Sequence, residues 1–365
     1  MCKSSLHSFL HALPKCEHHV HLEGCLSPSL AFRLAAKNLI SLPSPSTDGA
    51  YTSVETLTER YKHFSDLNDF LGYYYRALDA VITRDDFEML GWEYFSQAAR
   101  DGVQHAEVFF DPQSHTSRGV SLSTVVDGFD AARKRAETQL GITTQLIMCF
   151  LRHLPVRAAR ETWLQALQAG YFDDPRTSST STSTSTIAAV GLDSSELGFP
   201  PHLFHELFAD AQKRGIRRTA HAGEEGDAAT YIGGALDALH AQRIDHGIRL
   251  VDDAALLQRV VQENILLTLC PLSNVCLHLV HHVRDLPIRQ FLAAGVKFSI
   301  NSDDPAYFGG YILNNYCAVQ DALDLSPDEW ILIVQNSIQA SWCDQARKDQ
   351  LLHMLADCVR NHLPQ

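Results

Sequence analysis

Short apolar runs rich in β-forming residues recur along the chain and alternate with segments of helical periodicity. Helix-like segments, such as residues 86–101 and 252–263, separate most of these runs. Such alternation predicts parallel pairing, because each helix returns the chain to the same end of the sheet. The eight predicted strands cover residues 16–22, 104–110, 144–151, 187–192, 217–222, 243–246, 265–270 and 296–300.

Eight strand–helix units within 365 residues favour a closed (β/α)8 TIM barrel, an α/β fold, over an open doubly wound sheet. No Gly-x-Gly-x-x-Gly sequence follows a predicted strand, so the phosphate-binding turn of a dinucleotide fold is missing. Residues 27–103 are too many for one connecting helix and predict a helical insertion after the first strand. We therefore expect a single barrel domain over residues 1–365 that contains this insertion.

Residues 177–186 form a tract made almost entirely of serine and threonine. Such a segment has too few apolar side chains to offset the entropy lost on ordering it. The tract therefore predicts a flexible loop before the fourth strand.

Composition limits the partners of the chain. With 43 acidic and 30 basic residues, the net charge of -13 disfavours nucleic acid and anionic membrane surfaces. The longest apolar stretches are much shorter than the ~20 residues of a membrane span. Nine scattered cysteines without a disulfide framework predict reduced thiols in the cytoplasm, with the nucleus left open as a second location.

Histidine and aspartate stand at the ends of four predicted strands. The first strand ends in His19-Val20-His21, and residues two apart on a strand face the same side. The fifth and sixth strands end at His221 and His246, and Asp303 follows the eighth. In a parallel barrel the active site lies at this carboxyl end of the strands, so these side chains are expected to meet at its mouth.

Nitrogen and oxygen ligands of this kind fit a zinc ion with one position left for water. Such an ion can lower the pKa of the water to about 7. Glu224 follows His221 closely and is placed to transfer protons between that water and a leaving group. His246 is suited to orient the water or to stabilise charge that develops on it.

Four motifs in order along the chain resemble the adenosine and adenine deaminase family of the amidohydrolase superfamily. The resemblance extends over nearly the whole chain, and further matches favour the adenine deaminase branch of fungi and bacteria. The four motifs are PKCEHHVHLEG at 14–24, HAGE at 221–224, RIDHG at 243–247 and SINSDDP at 299–305. The matches to the branch are FFDPQ at 109–113, GLDSSE at 191–196, Asp245 and DPAYF at 304–308.

The resemblance implies one zinc ion per chain and a set of catalytic residues. Glu224 corresponds to the proton-shuttling acid of the family and His246 to its water-orienting base. Asp304 corresponds to the residue that contacts purine N7, which requires a proton on the carboxyl group or on N7. The implied zinc ligands are His19, His21, His221 and Asp303.

The resemblance also implies substrate contacts at the end of the fourth strand. It places Glu196 near the N3 and N9 edge of the purine and includes Ser195 and Gly223 in the substrate site. A carboxylate there would accept the N9 proton of adenine and would occupy the space of a ribose. We therefore expect adenine to be preferred over adenosine.

The implied function is zinc-dependent hydrolytic deamination of adenine to hypoxanthine and ammonia in purine salvage. The same chemistry on adenosine, on an N6-substituted adenine or on N6-methyl-AMP is an alternative. A non-catalytic paralogue that binds purine or metal is a second alternative. The expected partner is a small purine, and the sequence leaves the oligomeric state open.

Overall fold

Eight parallel strands pair in sequence order, as shown by a computed structural model that describes residues 3–172 and 185–363. The (β/α)8 barrel predicted from the strand–helix alternation is confirmed. Most strands start or end within one or two residues of the predicted runs. The strands are β1 Lys15–Glu17, β2 Val103–Phe110, β3 Thr143–Leu151, β4 Ala189–Asp193, β5 Arg217–Ala222, β6 Arg243–His246, β7 Leu266–Leu269 and β8 Lys297–Ile300.

The first strand is shorter than residues 16–22, because its ladder ends at Glu17. Beyond that point the amide of His18 donates to the side chain of Asn301, at 2.8 Å, instead of to a neighbouring strand. Backbone pairing resumes where the amide of Asp303 donates to His19 and the amide of His21 donates to Asp303, at 3.0 and 2.9 Å. These two hydrogen bonds link the segment after β8 to the segment after β1 and close the barrel.

Helices surround the barrel and fill the long connection after β1. Four helices, α2 to α5, lie between β1 and β2. The helices within the described ranges are α1 His7–Ala12, α2 Pro28–Asn38, α3 Val54–Arg60, α4 Leu67–Leu78, α5 Arg84–Arg100, α6 Gln113–Thr116, α7 Leu122–Leu140, α8 Val156–Gln168, α9 His205–Lys213, α10 Gly234–Ala238, α11 Ala254–Gln262, α12 Pro271–Cys276, α13 Ile288–Ala294, α14 Ile312–Leu323, α15 Pro327–Ala340 and α16 Gln345–His362.

The serine and threonine tract at 177–186 lies outside the described residues except for its last two positions. The predicted flexible loop therefore stays a prediction. In the part of the chain that the structure describes, no helix combines the length and apolar character that crossing a membrane requires.

A buried ion pair crosses the barrel interior beneath the strand ends. The guanidinium of Arg243 on β6 donates to the carboxylate of Glu107 on β2 at 2.5 Å, and both side chains are almost fully buried. Glu107 also accepts hydrogen bonds from His105 and from the backbone amide of Trp342. The Arg243 guanidinium lies over the Trp342 ring, with its Cζ atom 4.0 Å from the ring centroid. Polar contacts thus stabilise the barrel interior directly below the strand ends.

Removal of one partner of this ion pair should destabilise the barrel. We expect Arg243→Met to lower the free energy of unfolding by about 3–5 kcal/mol, because Glu107 would stay buried without its cation. Adding Glu107→Gln should recover part of that loss. Urea unfolding of both single variants and the double variant checks this, and an unchanged midpoint for Arg243→Met would refute it.

Candidate metal centre and active-site cavity

The carboxyl ends of four strands bring imidazole and carboxylate groups together at the barrel mouth. The Nε2 atoms of His21 and His221 are 3.2 Å apart. Asp303 Oδ1 lies 3.2 Å from His19 Nε2 and 3.7 Å from His21 Nε2. All four residues are at least 94% buried. The structure therefore brings the four predicted ligands to one point.

These donor distances fit a metal ion. Zinc ligands lie about 2.0–2.1 Å from the ion, so tetrahedral geometry separates neighbouring donors by about 3.3 Å. His19 Nε2 is buried 3.2 Å from Asp303 Oδ1, and a metal ion would bind both atoms. The cluster therefore has the composition and spacing of a metal centre.

Residues behind the cluster orient two of its rings. The Thr268 hydroxyl lies 2.9 Å from Nδ1 of His19 and donates to the Asp245 carboxylate at 3.0 Å. Asp245 also lies 3.5 Å from Nδ1 of His221. Such outer contacts fix the tautomer of a ligating histidine and direct its Nε2 inward. Asp245 and Thr268 thus position both imidazoles toward the centre.

His246 also faces this centre. Its donor atom and those of His19, His221 and Asp303 all lie within 4.8 Å of one another. His246 Nε2 is 3.5 Å from Oε2 of Glu224 and 3.8 Å from Oδ2 of Asp303. The geometry therefore brings Glu224 and His246 together beside the predicted ligands.

Burial determines the charge states at the centre. It lowers the pKa of His21 to about 4 and that of His246 well below its usual value, so both rings are neutral at pH 7. Burial and the nearby Asp303 carboxylate raise the pKa of Glu224 well above its usual range. Without a metal ion, Glu224 therefore carries a proton, the form that a general acid requires.

Three residues at these strand ends have a strained backbone. Ser194, His246 and Asp303 have positive φ angles of 71°, 62° and 65°, which non-glycine residues rarely adopt. Such conformations persist only where the surrounding structure holds them, and they cluster at functional sites.

The turn after β5 is held by Glu196. Its carboxylate accepts hydrogen bonds from the amides of Gly223, Glu224 and Gly226, at 3.2, 3.1 and 2.9 Å. A side chain at Gly223 would clash with Ile232, and its φ of 71° also favours glycine. Glu196 and Gly223 therefore fix the position of the Glu224 backbone.

The predicted substrate contacts at Glu196, Ser195 and Gly223 are not among the residues that line the cavity in the described ranges. Ser195 instead donates its hydroxyl hydrogen to Glu225 at 3.2 Å, next to the turn. The structure thus gathers these three residues around the turn that carries Glu224.

Asp304 lies at the cavity wall beside the predicted ligands. A Cβ atom at Gly24 would be 2.0 Å from Asp304 Oδ1 and 2.7 Å from its Cα atom, so only glycine allows this approach. Burial and the Asp303 carboxylate raise the pKa of Asp304 well above its usual value. Asp304 therefore presents a protonated carboxyl group, which can donate a hydrogen bond.

The cavity above the centre has an empty volume of about 430 Å³, its open mouth included. This volume is within the range of small-molecule sites. Helix α4 covers one side with apolar and aromatic side chains, and the ends of β2 and β4 contribute acidic groups. The lining residues include Leu67, Phe70, Leu71, Tyr74, Tyr75, Asp111, Asp193, Ser194, Leu277 and Phe308.

Asp111 and Asp193 received no role in the sequence analysis, although a signal for them is present. Each directly follows a predicted strand, in the same region of a strand–helix unit where His221 and Asp303 lie. Residues two apart on a strand share a face, so Asp111, just after β2, lies on the same face as Phe109 and Glu107. Glu107 points into the barrel, where it pairs with Arg243. Strand alternation alone therefore predicts that Asp111 faces the cavity.

Comparisons with known proteins agree with this site. The family model described as adenosine deaminase matches residues 14–358. The chain is 56% identical to an adenine deaminase of Aspergillus fumigatus and 54% identical to one of Schizosaccharomyces pombe, over 99% of this chain and 99% and 95% of those proteins. A crystal structure of an adenine deaminase from Arthrobacter aurescens has a TM-score of 0.87 and 42% identity, and the match covers 95% of this chain and 99% of that one. The resemblance seen in the motifs is confirmed, and the chain belongs to the adenosine deaminase family.

Proposed function

We propose that this protein deaminates adenine hydrolytically to hypoxanthine and ammonia with one zinc ion per chain, in purine salvage. The observation that carries the proposal is the buried histidine and aspartate cluster beneath the cavity, with Glu224 and His246 beside it. Two relatives that are more than 50% identical to this chain are adenine deaminases, and the match covers at least 95% of each of them. The cysteine content favours a reducing compartment, and we propose the cytoplasm.

Four donors would hold the metal ion. Zinc bound there would supply an acidified water molecule with a pKa near 7. The neutral ring of His21 and the ionised carboxylate of Asp303 are the protonation states that zinc coordination requires. The donors are His19, His21, His221 and Asp303.

Glu224 acts first as a proton donor and then as a carrier. Its protonated carboxyl gives a proton to the ring nitrogen next to C6, which makes C6 more electrophilic. The carboxylate then takes a proton from the attacking water and delivers it to the departing amino group. As the C6–N bond breaks, the hydroxyl group on C6 returns its proton to Glu224 and becomes the carbonyl oxygen. Ammonia leaves, hypoxanthine forms and the acid is regenerated.

His246 and Asp304 orient the two reactants. The neutral ring of His246 orients the attacking water. Its Nε2 atom lies 3.5 Å from Oε2 of Glu224, so both groups can contact the same water molecule. The protonated Asp304 donates to N7 of the purine, an acceptor, and fixes the orientation of the ring. Both groups act by positioning, a contribution that depends on close alignment.

The substrate assay tests this function directly. Zinc-loaded protein should convert adenine to hypoxanthine, followed by ultraviolet absorbance and by ammonia release, and should do so better than it deaminates adenosine or N6-methyladenine. Equal or faster turnover of adenosine would contradict the assignment of substrate. Purine binding without turnover of any of the three would favour a non-catalytic paralogue.

Glu224→Gln should keep the fold and the metal but lower kcat by about 100-fold or more, because an amide cannot transfer the proton. Glu225→Gln is the matched control, since an amide oxygen can still accept the hydrogen bonds from Ser195 and Glu196. Steady-state kinetics on both variants at equal zinc content would check this. Near-normal turnover by the Glu224→Gln variant would refute the role of Glu224 in proton transfer.

A further inference from the structure

Two buried carboxyl groups on the β2 and β4 side of the cavity are not used in the mechanism above. Asp111 follows β2, Asp193 ends β4, and both line the cavity. They lie 3.9 and 3.7 Å from Nδ1 of His21, whose Nε2 faces the metal centre. The pair therefore lies on the outer side of the His21 ring.

These carboxyl groups have unused hydrogen-bonding capacity. The Asp111 and Asp193 carboxyl groups are hydrogen-bonded to each other. Apart from that contact, both oxygens of Asp193 and Oδ1 of Asp111 are buried without a hydrogen-bond partner among the described residues. The remaining Asp111 oxygen accepts from the Tyr74 hydroxyl at 3.2 Å, so helix α4 holds that carboxyl in place. Buried polar atoms without partners are costly, and at a cavity wall they indicate a ligand with hydrogen-bond donors.

The orientation of a reacting purine matches this wall. C6 must lie at the metal centre, between Glu224 on the β5 side and Asp304 after β8. The N3 and N9 edge then points away from the centre, toward the ends of β2 and β4. In free adenine this edge carries an N–H group, whereas in a nucleoside N9 carries the sugar.

Glu196 cannot easily supply this contact, because its carboxylate is occupied by three backbone amides of the turn that carries Glu224. Asp193 is three residues earlier, on the same strand end, and its carboxyl group contacts Asp111 but accepts no backbone amide of the described residues. The following residue, Ser194, has a positive φ of 71°, a conformation that the surrounding structure must hold. The Ser194 hydroxyl bonds to His153 at 2.7 Å, so a neighbouring side chain anchors it.

We propose that Asp193, supported by Asp111, determines the specificity of the site for the free base by accepting the N9–H of the purine. The inference rests on the proposed adenine deaminase function. A substituent at N9 would replace the donated hydrogen and would meet the same carboxyl wall. Discrimination against nucleosides thus comes from a lost hydrogen bond with a buried partner, together with loss of space.

The probes for this contact are adenine and 9-methyladenine, which differ only at N9. Wild-type protein should prefer adenine by about 1,000-fold or more in kcat/KM. Asp193→Ala should lower kcat/KM for adenine by about 100-fold or more and should lower that for 9-methyladenine much less. The ratio of the two values should therefore fall sharply.

Asp193→Asn is the matched variant, because it keeps the shape and one acceptor oxygen. It should retain much more of the adenine preference than Asp193→Ala does. Zinc content and melting temperature are measured for each protein, and the ratio of kcat/KM values is independent of the active fraction. If Asp193→Ala fails to fold, Asp193→Asn and Asp111→Asn still report on the ratio, which should fall in both.

The two proposals fail in different ways. Wild-type protein that does not deaminate adenine would refute the proposed function itself. An active wild-type protein whose preference for adenine survives Asp193→Ala within about threefold would overturn the role of Asp193. Loss of a second zinc ion in Asp193→Ala would also overturn it, because the oxygens would then belong to a cation site.

Discussion

Convergence of buried imidazole and carboxylate groups is the interaction on which the rest of this structure depends. Nitrogen atoms of two histidines 3.2 Å apart, without solvent, are stable only if a proton or a cation lies between them. A parallel barrel provides this arrangement, because all of its strands end at one rim. The metal centre is thus a consequence of topology combined with a few strand-end residues.

The supporting residues turn this cluster into a site of fixed geometry. Asp245 and Thr268 orient two rings from behind, and the Glu196 carboxylate fixes the turn that carries Glu224. The fully buried pair of Arg243 and Glu107 lies below them and keeps opposite sides of the barrel together. Buried charged groups therefore pair in layers below the cavity, where the metal cluster and the acidic wall lie.

Much of this arrangement could be predicted from the sequence. The strand–helix alternation predicts the barrel, and the positions of His221 and Asp303 at strand ends predict their meeting at the mouth. These predictions succeed because the periodicity of apolar residues and the direction of each strand are local properties of the chain. The end of β1 could not be predicted in this way. Its ladder stops where the backbone amide of His18 donates to the side chain of Asn301, which is distant in sequence.

Side-chain partners across the site could not be predicted in the same way. Glu196 and Asp193 are three residues apart on one motif, and both are acidic. Only the fold decides that the first is occupied by the backbone amides of a neighbouring turn, whereas the second faces the cavity. A motif thus identifies the region that contacts substrate, and the hydrogen bonds decide which carboxylate is available.

The most direct test of the central claim is a zinc titration of metal-stripped protein, with bound zinc and adenine turnover measured on the same samples. The account predicts negligible turnover without metal, a rise in proportion to bound zinc, and a plateau at one zinc ion per chain. Full turnover by protein shown to contain no metal would contradict it.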